Sequence, residues 1–184
     1  MSLKLSDEQA LIDGCKKCEP LARKQLYEKY AAAMFALCSR YAPDRSGAED
    51  ILQDGFLTIF TKIGAYSGKG SFEGWMRRIF VNQALAAIRR ETTSLKYIET
   101  IDYEDDWSDA EASVIDTMSA DEITACIAEL PAGYRMVFNL YAIEGYSHSE
   151  IAGMLGIKES GSRSQYSHAR QMLREKLLKL KVGK

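Results

Sequence analysis

The sequence predicts an all-α protein: two small helical domains joined by a flexible acidic linker. Apolar residues recur three and four positions apart over most of residues 5–90 and again over 120–180, the period of helices with one buried face. The 184-residue chain has a formal net charge of -2, but the charge is unevenly placed. Residues 1–91 carry 14 basic and 11 acidic side chains, residues 92–122 carry 1 and 10, and residues 123–184 carry 9 and 5. Two basic blocks therefore flank an acidic connector, which divides the chain into 1–91, 92–120 and 121–184.

Residues 5–40 read as helical, with Leu11, Ile12, Leu21, Leu26, Tyr27, Tyr30, Met34, Phe35 and Leu37 apolar and a break near Gly14. Pro43 and Gly47 interrupt the pattern. The next run, Ala48–Ile63, places Ile51, Leu52, Phe56, Ile59, Phe60 and Ile63 along one face, with Glu49, Asp50, Gln53 and Asp54 on the exposed flank. Acidic residues near a helix N-terminus complement its dipole, and the same residues could equally form a docking edge for a basic partner. Ala65–Ser71 is a glycine-rich loop with Tyr66 and Lys69 in it, and Tyr66 reads as exposed. It lacks the strand that must precede a phosphate-cradling Gly-Lys-Ser/Thr turn, so nucleotide hydrolysis is not expected.

Phe72–Arg90 returns to helix, interleaving Phe72, Trp75, Met76, Ile79, Phe80, Leu85 and Ile88 with Arg77, Arg78, Arg89 and Arg90. Alone this is a core helix with a solvated basic face. Beside a DNA-binding motif, it suits melted nucleic acid, where bases stack on rings and arginines hold phosphates. Residues 92–120 are acidic, rich in Ser, Thr and Asp, and show no sustained period, so they are expected to be at least partly disordered when free. Helix resumes with Ile123, Ile127 and Leu130, turns at Pro131, and continues through Tyr134–Tyr141.

Tyr146–Leu180 then reads as two helices across a tight turn. Ser147 and Glu150 have capping-box spacing, Ile151, Met154 and Leu155 supply an apolar face, and Gly156 stands where a left-handed helix end is needed. The second helix carries Tyr166, Ala169, Leu173, Leu177 and Leu180 on one stripe, with Arg163, Ser164, Ser167, His168, Gln171 and Arg174 facing away. Such donors suit phosphates and base edges in a major groove, the arrangement of a helix-turn-helix.

No run of 18 apolar residues could span a membrane, and Asp7 and Glu8 interrupt any signal-peptide core, so a cytoplasmic protein without direct membrane insertion is expected. The four cysteines, Cys15, Cys18, Cys38 and Cys126, fit reduced thiols in that compartment. Cys15 and Cys18 form a single C-x-x-C. With no second pair, and both histidines in the helix-turn-helix, the expectation is no metal and no cofactor.

Several ordered segments resemble one family, the extracytoplasmic-function sigma factors of bacterial RNA polymerase. They are LYEKY at 26–30, AEDILQDGFLTIF at 48–60, GSFEGWMRRIFVNQALAAIRR at 70–90 and LPAGYRMVFNLYAIEGYSHSEIAGMLGI at 130–157, the last similar to members common in the Bacteroidetes. The resemblance implies two helical domains, region 2 and region 4, in a non-enzymatic subunit that directs core polymerase to a promoter and helps melt it. It implies that Asp50, Gln53 and Asp54 dock on the coiled coil of the largest polymerase subunit. Tyr66 and Asn82 match positions that hold a base flipped from the minus-ten element, Ser67–Ser71, Lys69 among them, form the loop that shapes specificity, and Trp75, Arg77, Arg78, Arg89 and Arg90 belong to the same surface. In region 4, Arg163, Ser164, Gln165, Ser167 and His168 match positions reading the minus-thirty-five element, with Arg170 and Arg174 on phosphates. The acidic connector resembles the segment that threads polymerase channels, and the family implies a membrane-linked anti-sigma partner.

The sequence departs from the family where Ser-Glu-Gly-Thr usually opens the recognition helix: here Lys158, Glu159, Ser160 and Gly161 stand. A lysine side chain cannot accept the capping hydrogen bond, which leaves Ser160 as the cap and a helix starting two residues late. His168 replaces a commoner arginine and Tyr166 a leucine. Gly55 is expected to weaken its helix by about 0.5–1 kcal/mol relative to alanine. Two other classes fit parts of the chain: a helix-turn-helix repressor or activator acting on duplex DNA, and a thiol oxidoreductase using Cys15 and Cys18.

Overall fold

The computed structural model describes residues 8–91 and 120–182, and every regular element among them is helical. The chain divides into two compact units, residues 1–91 and 92–184. The acidic connector of residues 92–119 lies outside the described residues.

In the first unit, α1 (Glu8–Lys16) buries Leu11, Ile12 and Cys15. The break expected at Gly14 falls four residues later, because Gly14 serves a contact rather than a turn. A Cβ there would lie 2.6 Å from Cβ of Ala22. The chain reverses instead at Cys18, whose φ is 61°, and α2 (Pro20–Tyr41) starts on a proline, whose missing N–H costs a first turn nothing. α3 runs over Arg45–Lys62, three residues longer at its start than the apolar pattern suggests. Asp44 accounts for the difference: its Oδ1 accepts from the Gly47 N–H at 2.8 Å, a side-chain cap that places Gly47 inside the first turn. A 3-10 turn, Ile63–Ala65, leads to the loop. α4 (Phe72–Glu91) begins where the Gly74 N–H donates to Ser71 Oγ at 3.0 Å.

α2 packs on α1, α3 and α4, and its Leu26, Met34, Leu37 and Tyr41 are fully buried together with Ile59, Phe72, Met76 and Phe80. α3 and α4 meet closely at Gly55. A Cβ on Gly55 would stand 2.0 Å from Cε1 of Phe80, so the phenyl ring lies directly on the α3 backbone. Gly55 is therefore a packing requirement, and the cost of glycine in a helix is outweighed by the clash any side chain would create.

The second unit comprises α5 (Ala120–Ala128), α6 (Ala132–Phe138), a π-helical turn (Asn139–Ile143), α7 (His148–Leu155) and α8 (Glu159–Val182). Cys126, Ile127, Leu130, Ala169, Leu173 and Leu177 form its core, flanked by Ile123, Tyr134, Phe138 and Met172. Leu180, expected on the buried stripe, is 46 % exposed, since α8 extends past the helices it packs on. The helix expected through Tyr141 widens after Phe138: the Glu144 N–H donates to Asn139 O at 2.9 Å and the Tyr146 N–H to Leu140 O at 3.0 Å. This wider turn keeps Asn139 and Leu140 buried while Tyr141 emerges at the surface.

Alanine at position 55 gains about 0.5–1 kcal/mol of helix propensity but forces Phe80 from its place, which overpacking data put at about 1–3 kcal/mol. Gly55→Ala is expected to lower the urea midpoint of the full chain, and Gly55→Ala combined with Phe80→Leu to recover part of the loss. An unchanged or higher midpoint for the single variant would remove the packing argument.

Candidate nucleic-acid interface

Three polar surfaces carry the residues singled out by sequence. On α3, Asp50, Gln53 and Asp54 are exposed and one helical turn apart, and they line an open cleft of about 350 Å³. Its other wall comes from α4 through Gln83, Ala87 and Ile88. Glu49 turns aside, its carboxylate 2.8 Å from Nε of Arg45. Asp50 and Asp54 thus set two carboxylates beside a partly apolar groove, a surface complementary to a basic, half-apolar helix. Gln83 joins the cleft walls by donating to Thr58 Oγ1 at 2.7 Å, a contact no sequence pattern signalled.

Tyr66 is not the exposed ring expected. It is 8 % accessible, with its ring 5.1 Å from Phe72 and 5.5 Å from Trp75. Its hydroxyl donates to Gly70 O at 2.8 Å. The aromatic core therefore claims the ring, and the loop closes over it through Gly68 and Gly70, whose φ values are 78° and 79°. Ser67 and Lys69 are exposed at the tip. Trp75 is half-buried, Arg77 approaches Glu73 at 4.0 Å, and Arg78 and Asn82 are exposed. Trp75, Arg78 and Asn82 follow one stripe of α4, but the seven residues from Trp75 to Asn82 span about 10 Å of rise. The stripe therefore runs along two turns of the helix. Arg89 and Arg90 belong to the last turn of α4.

In the second unit the capping box is present. The Glu150 N–H donates to Ser147 Oγ at 3.3 Å and the Ser147 N–H to Glu150 Oε2 at 2.8 Å. Gly156 takes φ 69°, and the N–H groups of Gly156 and Ile157 both donate to Ala152 O. The recognition helix does not start late: Lys158 O accepts the first helical bond from Ser162 at 3.0 Å, so Glu159 is the first helical residue.

The faces of α8 also differ from expectation. Ser164 and Gln165 are 8 % and 6 % accessible and Ser162 is fully buried, because the contacts with α6 and α7 rotate the inward stripe to Ser162, Gln165, Ala169 and Leu173. His168 is half-buried, stacked on Tyr134 at 5.5 Å with Nδ1 2.8 Å from Ser164 O. Tyr166, expected inside, joins Phe138, Tyr141 and His148 in an aromatic cluster. Arg163, Gln171 and Arg174 are exposed, with the half-buried Ser167 and Arg170 on the same face. Glu159 holds Arg163 at 2.5 Å, and Arg170 lies over the Tyr166 ring at 5.7 Å. This row sets guanidiniums at 163, 170 and 174 along one face, with Ser167 at the turn between the first two.

The C-x-x-C divides between environments. Cys15 is buried, its thiol pushed up chiefly by that burial, while Cys18 is exposed. Among the described residues no cluster of His, Cys, Asp or Glu is placed to hold a metal ion.

Residues 26–93 match the family model for Sigma-70 region 2, and residues 120–173 that for Sigma-70 region 4. The chain is 30 % identical over 158 residues to the ECF RNA polymerase sigma factor SigE of Mycolicibacterium smegmatis, covering 84 % of this chain and 61 % of that protein. It is 28 % identical over 187 residues to the ECF RNA polymerase sigma-E factor of Salmonella typhimurium, covering 96 % and 97 %. The sigma factor RpoE of Bartonella quintana, solved with the anti-sigma factor NepR, has the same fold, with a TM-score of 0.53, 20 % identity and coverage of 85 % and 96 %. The chain belongs to the sigma-70 family of RNA polymerase sigma factors, in its extracytoplasmic-function group.

His148 links α7 to α8: its ring stacks 4.2 Å from Tyr141 and its Nδ1 lies 3.0 Å from Ser162 Oγ. Burial, and then the nearby Arg163, lower its pKa, with Glu159 opposing. A histidine depressed in the fold takes up its proton more readily when unfolded, so its contribution is complete above about pH 6.5 and declines as pH falls through that value. The thermal midpoint of the second unit is expected to drop between about pH 7.5 and about pH 5.5, and His148→Phe to lose that part of the drop. An identical pH profile in the variant would exclude the link.

Proposed function

We propose that residues 1–91 dock on core polymerase and hold the melted minus-ten element, that residues 121–184 read the minus-thirty-five element, and that residues 92–120 tether the two. The observation that carries this reading is the pairing, in one chain, of an exposed carboxylate edge on α3 with an outward arginine row on α8. Asp50, Gln53 and Asp54 form the docking edge. Ser67, Lys69, Trp75, Arg78 and Asn82 offer the accessible minus-ten contacts, with Arg77, Arg89 and Arg90 for backbone phosphates. Tyr66 shapes the loop from beneath and would have to leave the aromatic core to touch a flipped base, whose unstacking costs a few kcal/mol.

On α8, Arg163, Ser167, Arg170 and Arg174 make the duplex contacts, while Ser164, Gln165 and His168 support the helix from its buried side. The chain performs no chemistry of its own; the polymerase core adds nucleotides. It works in the cytoplasm, and no helix among the described residues is long and apolar enough to cross a membrane. The complex of the Bartonella relative supports an anti-sigma partner for this chain as well, membrane-linked by family analogy.

With purified core polymerase the chain is expected to give promoter-dependent run-off transcripts, whose mapped starts identify the promoter. Asp50→Ala with Asp54→Ala should weaken core binding at least about tenfold, or about 1.4 kcal/mol. Tight, specific duplex binding without polymerase and no transcripts with it would favour a repressor instead. Arg163→Ala should reduce affinity for minus-thirty-five duplex and lower the salt slope by about one. Gln165→Ala should act on the melting temperature of the protein and leave that slope unchanged. A lowered slope for Gln165→Ala would return that residue to the interface.

A further inference from the structure

α1 precedes the residues matched to Sigma-70 region 2, which begin at residue 26, yet it is fixed in the same unit. Beyond its buried Leu11, Ile12 and Cys15, the Tyr30 hydroxyl donates to Glu8 Oε1 at 2.5 Å and Lys29 Nζ lies 3.6 Å from the same carboxylate. Gly14 lets α1 pack closely on α2, since a Cβ there would lie 2.6 Å from Cβ of Ala22. The position of its last turn is thereby set. There the Lys16 ammonium donates to the carbonyl oxygen of Tyr66 at 3.3 Å, bridging 50 positions of sequence.

Tyr66 closes the 3-10 turn Ile63–Ala65, and carbonyls at a helix C-terminus attract a cation. A charged donor makes that bond stronger than a neutral one would be. The Tyr66 side chain is held separately, its hydroxyl on Gly70 O at 2.8 Å. The exposed tip of Ser67, Gly68 and Lys69 is consequently pinned at one end by α1 and at the other by Tyr66 itself. Neither pin belongs to the exposed tip itself.

We propose that Lys16 is a positioning residue for the minus-ten loop, so that α1 helps decide which base the loop accepts. The inference rests on the reading of Ser67–Ser71 as the specificity loop. Replacing the ammonium with an apolar chain of similar length frees the Tyr66 carbonyl and lets the tip shift register. Arginine keeps both donor and charge.

The test uses holoenzyme reconstituted from core polymerase and the full chain, on the mapped promoter and on single-base variants of its minus-ten element. Lys16→Met is expected to cut the preference for the native base about tenfold, within the hundredfold that a misplacement of about 1 Å can cost. Lys16→Arg should restore it, and both variants should keep wild-type core affinity and thermal midpoint. Ser67→Ala with Lys69→Ala serves as the control on the loop. If the control shifts the preference and Lys16→Met does not, or if Lys16→Arg fails to rescue, the role of Lys16 is overturned alone. If the control also leaves the preference unmoved, the loop reading falls and takes this inference with it.

Discussion

The ring of Phe80 on the bare backbone of Gly55 is the contact on which the first unit depends. It fixes how closely α3 and α4 approach, and so the width of the cleft that Asp50 and Asp54 share with Gln83 and Ala87. It also brings Gln83 within hydrogen-bond reach of Thr58. The edge suited to a protein partner and the helix suited to melted DNA are therefore two sides of one rigid junction. Phe56 continues the arrangement, packing edge-on against Phe80 at 5.4 Å and against the half-exposed Tyr27 at 4.7 Å.

In the second unit the corresponding constraint is local. A reciprocal cap at Ser147 and a left-handed Gly156 fix both ends of α7, so α8 leaves the turn in one direction only. The aromatic cluster of Phe138, Tyr141, His148 and Tyr166 then sets the rotation of α8 about its own axis. Tyr141 can join that cluster because the π turn offsets it from the helix that precedes it. The outcome is a helix whose arginines line one face while its short polar residues, Ser162, Ser164 and Gln165, are turned inward.

Loop and anchor in the first unit divide their tasks in a similar way. Tyr66 gives its ring to the core and its hydroxyl to Gly70, which leaves the small exposed residues of the tip to meet a ligand. A base contact from such a loop would come through Ser67, Lys69 and backbone groups held in place by left-handed glycines. The distance along α4 between Trp75 and Asn82 spreads that surface over two helical turns.

The sequence by itself determined the helical class, the two basic blocks, the capping box, the Gly156 turn and the carboxylate edge. Each of these is written in periodicity, in short-range capping chemistry or in charge, all of which act over a few residues. Only the tertiary structure decided which way Tyr66 turns, that Gln165 faces inward and His168 stacks on Tyr134, and that Gly55 and Gly14 are contact points rather than weak points. It also placed Lys16 against a carbonyl 50 residues away. These features depend on the rotation of one helix against another, which is set by the summed packing of side chains distant in sequence. Within its own helix, an arginine or glutamine on the margin of an apolar stripe satisfies the same period whether it meets solvent, DNA or a neighbouring helix.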